Sequence, residues 1–328
     1  MAETDLSSSF DLPQDPVLSI VLPTKDRTPI LFKTLKSLVA STEGKSCEIF
    51  IIDNSTTADI VLPENLQRAN IRVLKNPRNR NSVFSSRNYG ASLARGPVLL
   101  FIDDDIITNP ESIDWVIRFH SENKKAAANV NWQYPPGLLE QMQKNVFGRF
   151  LIRSGFTTMR ELYGAHRWKE NTLFESGEVA SFFFSLRKET FDAMGGYEEK
   201  HLHEGTDIPL IESLKKENVP MYIHAGITVF HNEEDRVEPV NWLKRKMRMG
   251  EVSAMAVKMG KRDGHEFYYP VTKSFLLSGA WRLRGVLFFF IRAFPGSWRF
   301  ADPLLFKLLS GLTGAYIHKG YKTGMKKN

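Results

Sequence analysis

The sequence predicts an α/β fold in which helices flank a mostly parallel sheet and a helical extension follows. Over the first 105 residues, short continuous apolar runs alternate with segments whose apolar residues recur at helical spacing. Continuous apolar runs are typical of parallel strands that are buried on both faces. The alternation of strands with helices indicates βαβ units and hence a helix-covered sheet.

The elements of this first part follow in order along the chain. Residues 17–23 are an apolar run closed by a proline and predict the first strand. Helical spacing of apolar residues follows over 28–39. The remaining elements predicted here are strands at 48–53, 71–74 and 97–105 and a short helix at 87–93.

The rest of the chain predicts a mixed region and then a basic one. Residues 134–168 are expected to be irregular, because they contain two adjacent prolines and scattered glycines. Helices are predicted at 114–122, 190–195, 207–216 and 241–260, and strands at 179–188 and 221–231. At 328 residues, one large domain or two modest ones are expected. We divide the chain into a flexible N-terminus at 1–16, a main domain at 17–240 and a basic, aromatic-rich helical extension at 241–328.

The basic character of the chain belongs to its last quarter. The formal net charge is +7, but residues 240–328 contain 17 Lys and Arg against 4 Asp and Glu, which leaves −6 for the rest. This asymmetry predicts an anionic surface as the partner of the last quarter. Nucleic acid is not expected, because no nucleic-acid-binding motif is present.

Cysteine content and N-terminal composition predict a cytoplasmic protein. Cys47 is the only cysteine, which excludes an intramolecular disulfide and a cysteine-based zinc cluster and fits a reducing compartment. Residues 1–15 are polar and acidic, so no signal peptide is expected. The best apolar runs, 285–291 and 308–317, are shorter than the roughly 20 residues of a membrane-spanning helix.

Three adjacent carboxylates, Asp103, Asp104 and Asp105, end the fourth predicted strand. Ligands of open α/β sheets bind outside the carboxyl ends of the strands. Side chains at i and i+2 of an extended segment face the same way, so Asp103 and Asp105 are expected to face one divalent ion. Oxygen ligands favour Mg²⁺ or Mn²⁺ over zinc. The alternative is a solvated turn.

Polar residues also follow the first and second strands. Asp53 ends the second strand, and the run from Pro23 to Arg27 offers a hydroxyl and cations at the same sheet edge. Arg87 opens the helix before the fourth strand, where it can face an anionic ligand. Each of these features taken alone also fits a turn, a helix cap or a surface loop.

Together these segments resemble glycosyltransferase family 2, whose members have the GT-A fold. The most specific match is SSRNYGASLARGPVLLFIDDD, which resembles the family's Arg-Asn-x-Gly helix and Asp-x-Asp strand. VLSIVLPTKDR and IIDNST resemble its first two strands and nucleotide loops. ESGEVASFFFSLRKETFDAMGGYEE resembles its acceptor-side segment, and HEGTDIPLIESLKKENV the helix that carries its catalytic base. The resemblance covers roughly residues 17–260.

The resemblance implies roles for individual residues. Asp207 is the implied catalytic base, while Asp103, Asp105 and His231 are implied ligands of Mn²⁺ or Mg²⁺. Contacts to the nucleotide sugar are implied for Pro23, Thr24, Asp26, Arg27, Asp53, Arg87, Asp103 and Asp104.

The acceptor side carries one departure from the family pattern. The family's Gly-Glu-Asp is here Gly205-Thr206-Asp207, with Glu204 as a substitute for the missing glutamate. Glu204 and Gly177 are implied acceptor contacts. Trp242, Arg245 and Arg248 recur at three-residue spacing on the basic helix, so they are expected to share a face that clamps the diphosphate or is simply solvated.

The resemblance implies inverting sugar transfer from a nucleotide-diphosphate donor to a hydroxyl of a glycan or lipid-linked acceptor. Surface polysaccharide or lipid-linked glycan synthesis is the usual setting for such enzymes. Residues 273–307 mix Trp and Phe with Lys and Arg and contain almost no acid, which predicts peripheral contact with anionic lipid. We therefore expect a location on the inner face of the cell membrane, with packed helices or an oligomer interface as the alternative.

Three other classes of function compete with sugar transfer at this stage. A sugar nucleotidyltransferase normally opens with a glycine-rich basic loop, whereas residues 23–27 contain no glycine. A non-catalytic glycan-binding or scaffold protein is disfavoured because Asp53, Asp103, Asp105 and Asp207 are all present. A phosphatase with an Asp-x-Asp nucleophile would carry its carboxylates after the first strand, not the fourth.

Overall fold

The computed structural model describes residues 15–77, 82–164, 166–199, 207–235, 237–260, 271–293 and 297–326. The predicted N-terminal segment (all but its last two residues), Glu204 and the Gly205-Thr206 pair lie outside them. The strands are β1 Leu18–Thr24, β2 Cys47–Asp53, β3 Ile71–Lys75, β4 Val98–Ile102, β5 Ile106–Ile107, β6 Ala127–Gln133, β7 Leu173–Ser176, β8 Phe183–Arg187 and β9 Met221–His231. The helices are α1 Thr28–Ser41, α2 Val83–Leu93, α3 Pro110–Glu122, α4 Pro136–Gln143, α5 Val146–Arg153, α6 Met159–Tyr163, α7 Lys188–Ala193, α8 Ile208–Lys216, α9 Pro239–Lys258, α10 Val271–Arg282, α11 Arg284–Ala293 and α12 Asp302–Lys326.

The described strands form one sheet in the order β3-β2-β1-β4-β8-β6-β9-β5, with β7 paired to β9. Strands β1 to β4 are mutually parallel, in agreement with their apolar runs. Strand β8 runs antiparallel to β4 and to β6, and β9 runs antiparallel to β5 and β7. The α/β fold class is confirmed, and the antiparallel pairs make the sheet a mixed one.

Local signals begin the helices that connect the parallel strands. Ser82 caps α2 by accepting from the Ser85 amide. Asn109 and Ser112 form a capping box at the start of α3, with Pro110 in the first turn. The predicted irregular region 134–168 contains three short helices instead, of which α5 is capped by Asn145. Helices this short depend on such caps more than on a long amphipathic pattern, so periodicity alone did not reveal them.

The chain divides into two compact units. The first comprises Met1–Trp132, Lys169–Lys200 and Pro209–His231, and it contains the sheet. Its core includes the stacked and edge-on rings of Phe101, Phe184 and Tyr197. The second comprises Gln133–Trp168, His201–Ile208 and Asn232–Asn328. It therefore joins a segment that the sequence analysis placed in the main domain to the C-terminal helices.

Within the second unit, α9 and α12 pack backbone to backbone. A side-chain carbon on Gly320 would lie 1.9 Å from the Met247 carbonyl oxygen, and one on Gly250 would lie 2.2 Å from that of Ile317. Only glycine allows this approach. A bidentate ion pair between Arg149 and Asp302, with both N–O distances 2.7 Å, adds a charge-assisted link between α5 and α12.

None of the described helices is by itself both long and apolar enough to cross a bilayer. Helices α10 and α11 as far as Ile291 reach that length and composition together, across a bend of 69°.

A buried histidine gives the first unit a specific acid sensitivity. His120 is fully buried at the end of α3, where its Nε2 lies 2.9 Å from the Ser185 hydroxyl. Burial lowers the pKa of His120 to about 4, from an ordinary value near 6.5. As the pH falls below about 6.5, His120 becomes protonated in the unfolded chain, whereas in the folded chain it stays neutral until about pH 4. The free energy of unfolding therefore decreases as the pH falls from about 6.5 to about 4.

We expect urea unfolding to show about 2 kcal/mol less stability from this group at about pH 5 than at about pH 7. The His120→Gln variant should lose that component, because its amide cannot titrate. An equal pH dependence in the variant would contradict the assignment, and measuring both proteins removes the contribution of carboxylates common to them.

Candidate active site

The carboxyl ends of the parallel strands bring the predicted residues of the first unit to one sheet edge. Thr24 at the end of β1 lies directly opposite Asp53 at the end of β2. Strand β4 ends at Ile102, immediately before the three carboxylates. Pro23 is buried inside β1, opposite Ile52, so it shapes the strand end.

Residues Asp103 to Asp105 form a turn, not the extended segment that the sequence analysis predicted. The strand ends at Ile102, three residues before the predicted end; the Asp103 amide donates to the carbonyl of Phe182, and the chain then turns. Asp103 Oδ1 accepts from Arg87 Nη2 at 2.6 Å, whereas Asp105 is fully buried and contacts other partners. The extended geometry expected for Asp103 and Asp105 is therefore wrong, and their sharing of one ion stays a prediction.

Arg87 is buried and held by three groups. Besides Asp103, its Nη2 donates to the carbonyl of Ser181 at 3.1 Å, and its guanidinium lies 5.3 Å from the centre of the Tyr197 ring. The side chain is 3 % exposed. Arg87 therefore positions Asp103, which is 35 % exposed, at the edge of the site.

Arg27 and Thr24 hold the other two carboxylates. Arg27 contacts Asp104 through Nη1 and Asp105 through Nη2, the latter at 3.0 Å. Thr24 Oγ1 donates to Asp104 Oδ2 at 2.6 Å. The Thr34 hydroxyl, on α1, donates to the Asp104 backbone carbonyl at 2.7 Å. The turn is thus fixed from both the first loop and the first helix.

His231 lies beside Asp105 because β5 and β9 are paired. Ile106 is the register partner of His231, and the His231 Nε2 to Asp105 Oδ1 distance is 3.1 Å. Trp132 packs edge-on against the imidazole at 5.0 Å, and Phe182 lies parallel to it at 6.4 Å. The imidazole is therefore fixed in orientation.

The chemistry and spacing of Asp105 and His231 fit a divalent cation. Two ligand atoms about 2.1 Å from an ion and at right angles to each other lie about 3 Å apart. A carboxylate oxygen suits Mn²⁺ or Mg²⁺, and an imidazole nitrogen suits transition ions. Phosphate oxygens and waters complete the coordination of such ions in many nucleotide sites. The structure thus brings together two of the three predicted metal ligands.

Asp53 has a partner that the sequence analysis missed. Its carboxylate is fully buried, and Oδ2 lies 2.6 Å from Lys75 Nζ at the end of β3. Burial opposes ionisation of Asp53, but hydrogen bonds from Lys75 and Ser55 and the Lys75 charge hold its pKa below the ordinary value. Lys75 also pairs with Asp59 at 2.8 Å. The sequence signal for this pair was Lys75 at the end of the third strand, because Lys75 is the register partner of Asp53 in the sheet.

Asp26 ties two loops together. Its backbone is left-handed at φ 55°, and its exposed carboxylate accepts from the amides of Thr56 and Thr57 at 3.0 and 3.4 Å. These bonds, the Thr56 amide first, lower the pKa of Asp26. Asp26 therefore fixes the loop after β2 next to the first loop.

The remaining predicted residues are placed as follows. Gly177 is exposed after β7, with open space where a side chain would stand. Asp207 immediately precedes α8 and is half-buried. It falls in the second unit, as do Trp242, Arg245 and Arg248.

Trp242, Arg245 and Arg248 do not share one face of α9. Trp242 is 3 % exposed and packs edge-on against Phe147, Phe150 and Phe156. On a helix of 3.6 residues per turn, residues three apart point about 60° away from each other. Trp242 and Arg248 therefore differ by about 120°, and the side chains pass from the core to the solvent. The expectation that Trp242 contacts the diphosphate is wrong, because the residue belongs to the core.

Arg245 pairs with Glu233, a residue that the sequence analysis missed. Arg245 Nη1 lies 2.8 Å from Glu233 Oε1, and the Tyr134 hydroxyl donates to Oε2. Glu233 is 7 % exposed. Its position two residues after His231 was the available signal.

A protein-family model described as Glycosyl transferase family 2 matches residues 19–191, which is more than half of the chain. The chain belongs to glycosyl transferase family 2. Membership confirms the resemblance drawn from the motifs and places the match over the elements from β1 to α7.

Curated relatives of this family 2 chain include bacterial glycan enzymes. It is 25 % identical over 228 residues to O-antigen biosynthesis protein RfbC of Myxococcus xanthus, covering 66 % of this chain and 17 % of that one. It is 24 % identical over 225 residues to the GalNAc(5)-diNAcBac-PP-undecaprenol beta-1,3-glucosyltransferase of Campylobacter jejuni, covering 66 % and 64 %. The chain thus spans less than two thirds of the length of these relatives.

A solved structure with a similar fold is a mannosyltransferase from Pyrobaculum calidifontis in complex with GDP-Man and Mn²⁺. The TM-score is 0.52 at 12 % identity, and the match covers 94 % of this chain and 88 % of that one. This likeness confirms the GT-A fold of the family 2 chain.

Proposed function

We propose that this chain is an inverting glycosyltransferase that moves a sugar from a nucleotide-diphosphate donor to a hydroxyl acceptor. The observation that carries the proposal is the buried Asp105 carboxylate, placed 3.1 Å from His231 and 3.0 Å from Arg27 at the carboxyl edge of the sheet. Open α/β sheets bind nucleotides at this edge. Family membership supplies the reaction class.

Donor binding is assigned to the first unit. Asp53 is the carboxylate that the family motif implies for the nucleoside, and the loop that Asp26 fixes lies beside it. Asp103 is the most exposed of the three carboxylates that follow β4, so it can meet the donor while Arg87 holds it. Thr24 and Arg27 keep Asp104 in place and so define the floor of the donor site.

The leaving diphosphate gains negative charge as the bond to the sugar breaks. A Mn²⁺ or Mg²⁺ ion held by Asp105 and His231 would offset that charge when bound. Arg27 keeps the Asp105 carboxylate fixed, so little reorganisation is needed as the charge develops. Asp103 retains its place among the proposed metal-site residues only through the family motif, since Arg87 occupies one of its oxygens.

The acceptor hydroxyl must lose a proton as it attacks, which calls for a positioned base. We assign this role to Asp207, at the N-terminus of α8, where the helix dipole favours the ionised carboxylate. Glu204 and Gly177 are the acceptor-side candidates that the family motifs supply. Arg245 and Arg248 remain candidates for the diphosphate.

The acceptor proposed is a lipid-linked or surface glycan. One relative is named for O-antigen biosynthesis and another for transfer to an undecaprenol-linked saccharide. Both names describe glycans built on a membrane-borne carrier or displayed on the bacterial surface. The sugar and the base of the nucleotide stay open.

A donor screen tests the proposal. We expect one nucleoside diphosphate and its sugar conjugates to raise the melting temperature by roughly 5 °C at about 100 times Kd, because binding to the native state alone stabilises it. The shift should require Mn²⁺ or Mg²⁺, and the matching nucleotide sugar should be slowly hydrolysed in the same buffer.

The screen also separates the competing functions. A shift with a nucleoside triphosphate and a sugar phosphate, together with release of pyrophosphate, would identify a nucleotidyltransferase instead. A glycan that stabilises the protein while every nucleotide fails to do so would identify a binding protein and overturn the proposed transfer.

A further inference from the structure

The second unit exposes an unusual concentration of large apolar side chains. More than half of the exposed large apolar residues in the described chain lie between 271 and 304: Val271, Phe275, Leu276, Leu283, Val286, Phe289, Phe290, Trp298, Phe300 and Leu304. Phe275, Phe289 and Phe300 are 77, 70 and 78 % exposed. Such a concentration of exposed apolar side chains marks an interaction site. We call these ten residues the apolar patch.

Helix α10, which carries part of the apolar patch, packs on α12 through the face opposite to its exposed apolar side chains. Helix α10 meets α12 where Ser274 hydrogen-bonds His318 at 3.1 Å and Trp281 packs edge-on against Tyr316 at 4.9 Å. Ser274 and Trp281 are seven residues apart and so lie on one face of α10. None of the described residues of α10 is buried, so the opposite face is left to a partner.

The charge around the apolar patch is mainly positive. Residues 271–304 contain Lys273, Arg282, Arg284, Arg292 and Arg299 against one acid, Asp302, which is paired with Arg149. A second copy docking through the same surface would place these cations against each other, since a two-fold interface pairs a surface with itself. The charge therefore argues against a homodimer and for an anionic partner.

The geometry of α10 and α11 favours a shallow position in a bilayer surface. With 12 and 10 residues they are about 18 and 15 Å long, while the hydrocarbon core is about 30 Å thick. The bend of 69° prevents them from acting as one straight span. Phe, Trp and Leu beside Arg and Lys are typical of helices that lie at the headgroup boundary.

We propose that the apolar patch and its basic residues dock this protein on an anionic lipid surface, with α10 and α11 inserted at the headgroup boundary. The apolar side chains enter the acyl boundary, and the basic ones meet lipid headgroups. The proposal does not depend on sugar transfer, because lipid binding is measured without donor or acceptor.

The test is co-sedimentation of the full chain with vesicles of phosphatidylcholine alone and of phosphatidylcholine mixed with phosphatidylglycerol. We expect pelleting with the mixed vesicles only, and weaker pelleting at high salt. The double variant Phe289→Ser/Phe290→Ser should bind at least about tenfold more weakly, because binding no longer transfers two apolar side chains from water into the lipid. Arg282→Gln/Arg299→Gln should lose roughly 30-fold, at about fivefold per basic residue.

Matched controls make the same chemical changes elsewhere. Val61 and Leu173 are exposed apolar residues of the first unit, and Lys124 and Lys125 are exposed basic ones. Val61→Ser/Leu173→Ser and Lys124→Gln/Lys125→Gln should pellet like the unaltered protein. All four double variants change exposed residues, so circular dichroism and melting temperature should match those of the unaltered chain.

Three results would overturn the proposal. The first is a full-length protein that does not pellet with the mixed vesicles. The second is a Phe289→Ser/Phe290→Ser variant that pellets as the unaltered protein does. The third is light scattering that shows a dimer which this variant disrupts, while neither protein binds vesicles; the apolar patch would then be a subunit interface.

Discussion

Replacing Asp105 with asparagine is expected to lower sugar transfer on the order of 10³-fold while leaving the protein folded. The amide has the shape of the carboxylate, and its oxygen can still accept from Arg27, which lies 3.0 Å away. What is lost is the negative charge beside His231. A metal at a leaving group contributes several kcal/mol of transition-state stabilisation, which corresponds to a loss on the order of 10³-fold.

Metal binding separates this expectation from a general loss of structure. Titration of Mn²⁺ into the variant, in the presence of the nucleoside diphosphate, should show no saturable site, whereas the melting temperature without ligand should change little. Asp114→Asn is the matched control, because Asp114 is a half-exposed carboxylate paired with Lys45 at 3.2 Å on the surface. Unchanged turnover in Asp105→Asn, or full activity of the unaltered protein in excess chelator, would remove Asp105 and the ion from the mechanism.

The parallel half of the sheet was predictable because its strands are buried on both faces. Leu18–Thr24 and Cys47–Asp53 are buried along their whole length, so each appears in the sequence as a mainly apolar run. The polar residues inside these runs, Ser19 and Glu48, hydrogen-bond each other at 2.6 Å. Met221–His231 was also predicted to the residue, because its apolar positions alternate in the observed burial pattern. Strand β6 was missed because its sequence AANVNWQ contains two asparagines, of which Asn129 is buried and bonds to backbone groups.

The candidate site was predictable where residue type and strand end coincide. Asp53, the carboxylates after β4 and His231 were all found in this way, and the pairing of Ile106 with His231 explains why two distant segments meet. Tertiary contacts decide which side chains pair, so the sequence did not show that Arg87 forms an ion pair with Asp103 or that Lys75 forms one with Asp53. Trp242 was misassigned because spacing alone does not say which side of a helix is buried.

Asp207→Asn is expected to lower turnover by about 10²–10⁴-fold, the range typical of losing a general base, with donor affinity little changed. Asparagine keeps the size of the side chain and its place before α8 but cannot take the acceptor's proton. The acid limb of the pH–rate profile should disappear in the variant, because the titrating group is gone. Turnover at saturating donor and acceptor, and donor Kd by thermal shift, measure the two quantities separately.

Glu212→Gln is the control for this experiment, since Glu212 is an exposed carboxylate on α8, the helix that follows Asp207, and its loss should leave turnover within about twofold. Glu204→Gln tests the other acidic residue of the motif. If Asp207→Asn weakens donor binding but preserves turnover and the acid limb, Asp207 contacts the donor and is not the base. Loss of that limb in Glu204→Gln would then assign the proton transfer to Glu204, because a residue that only positions the acceptor changes the rate without removing the titration.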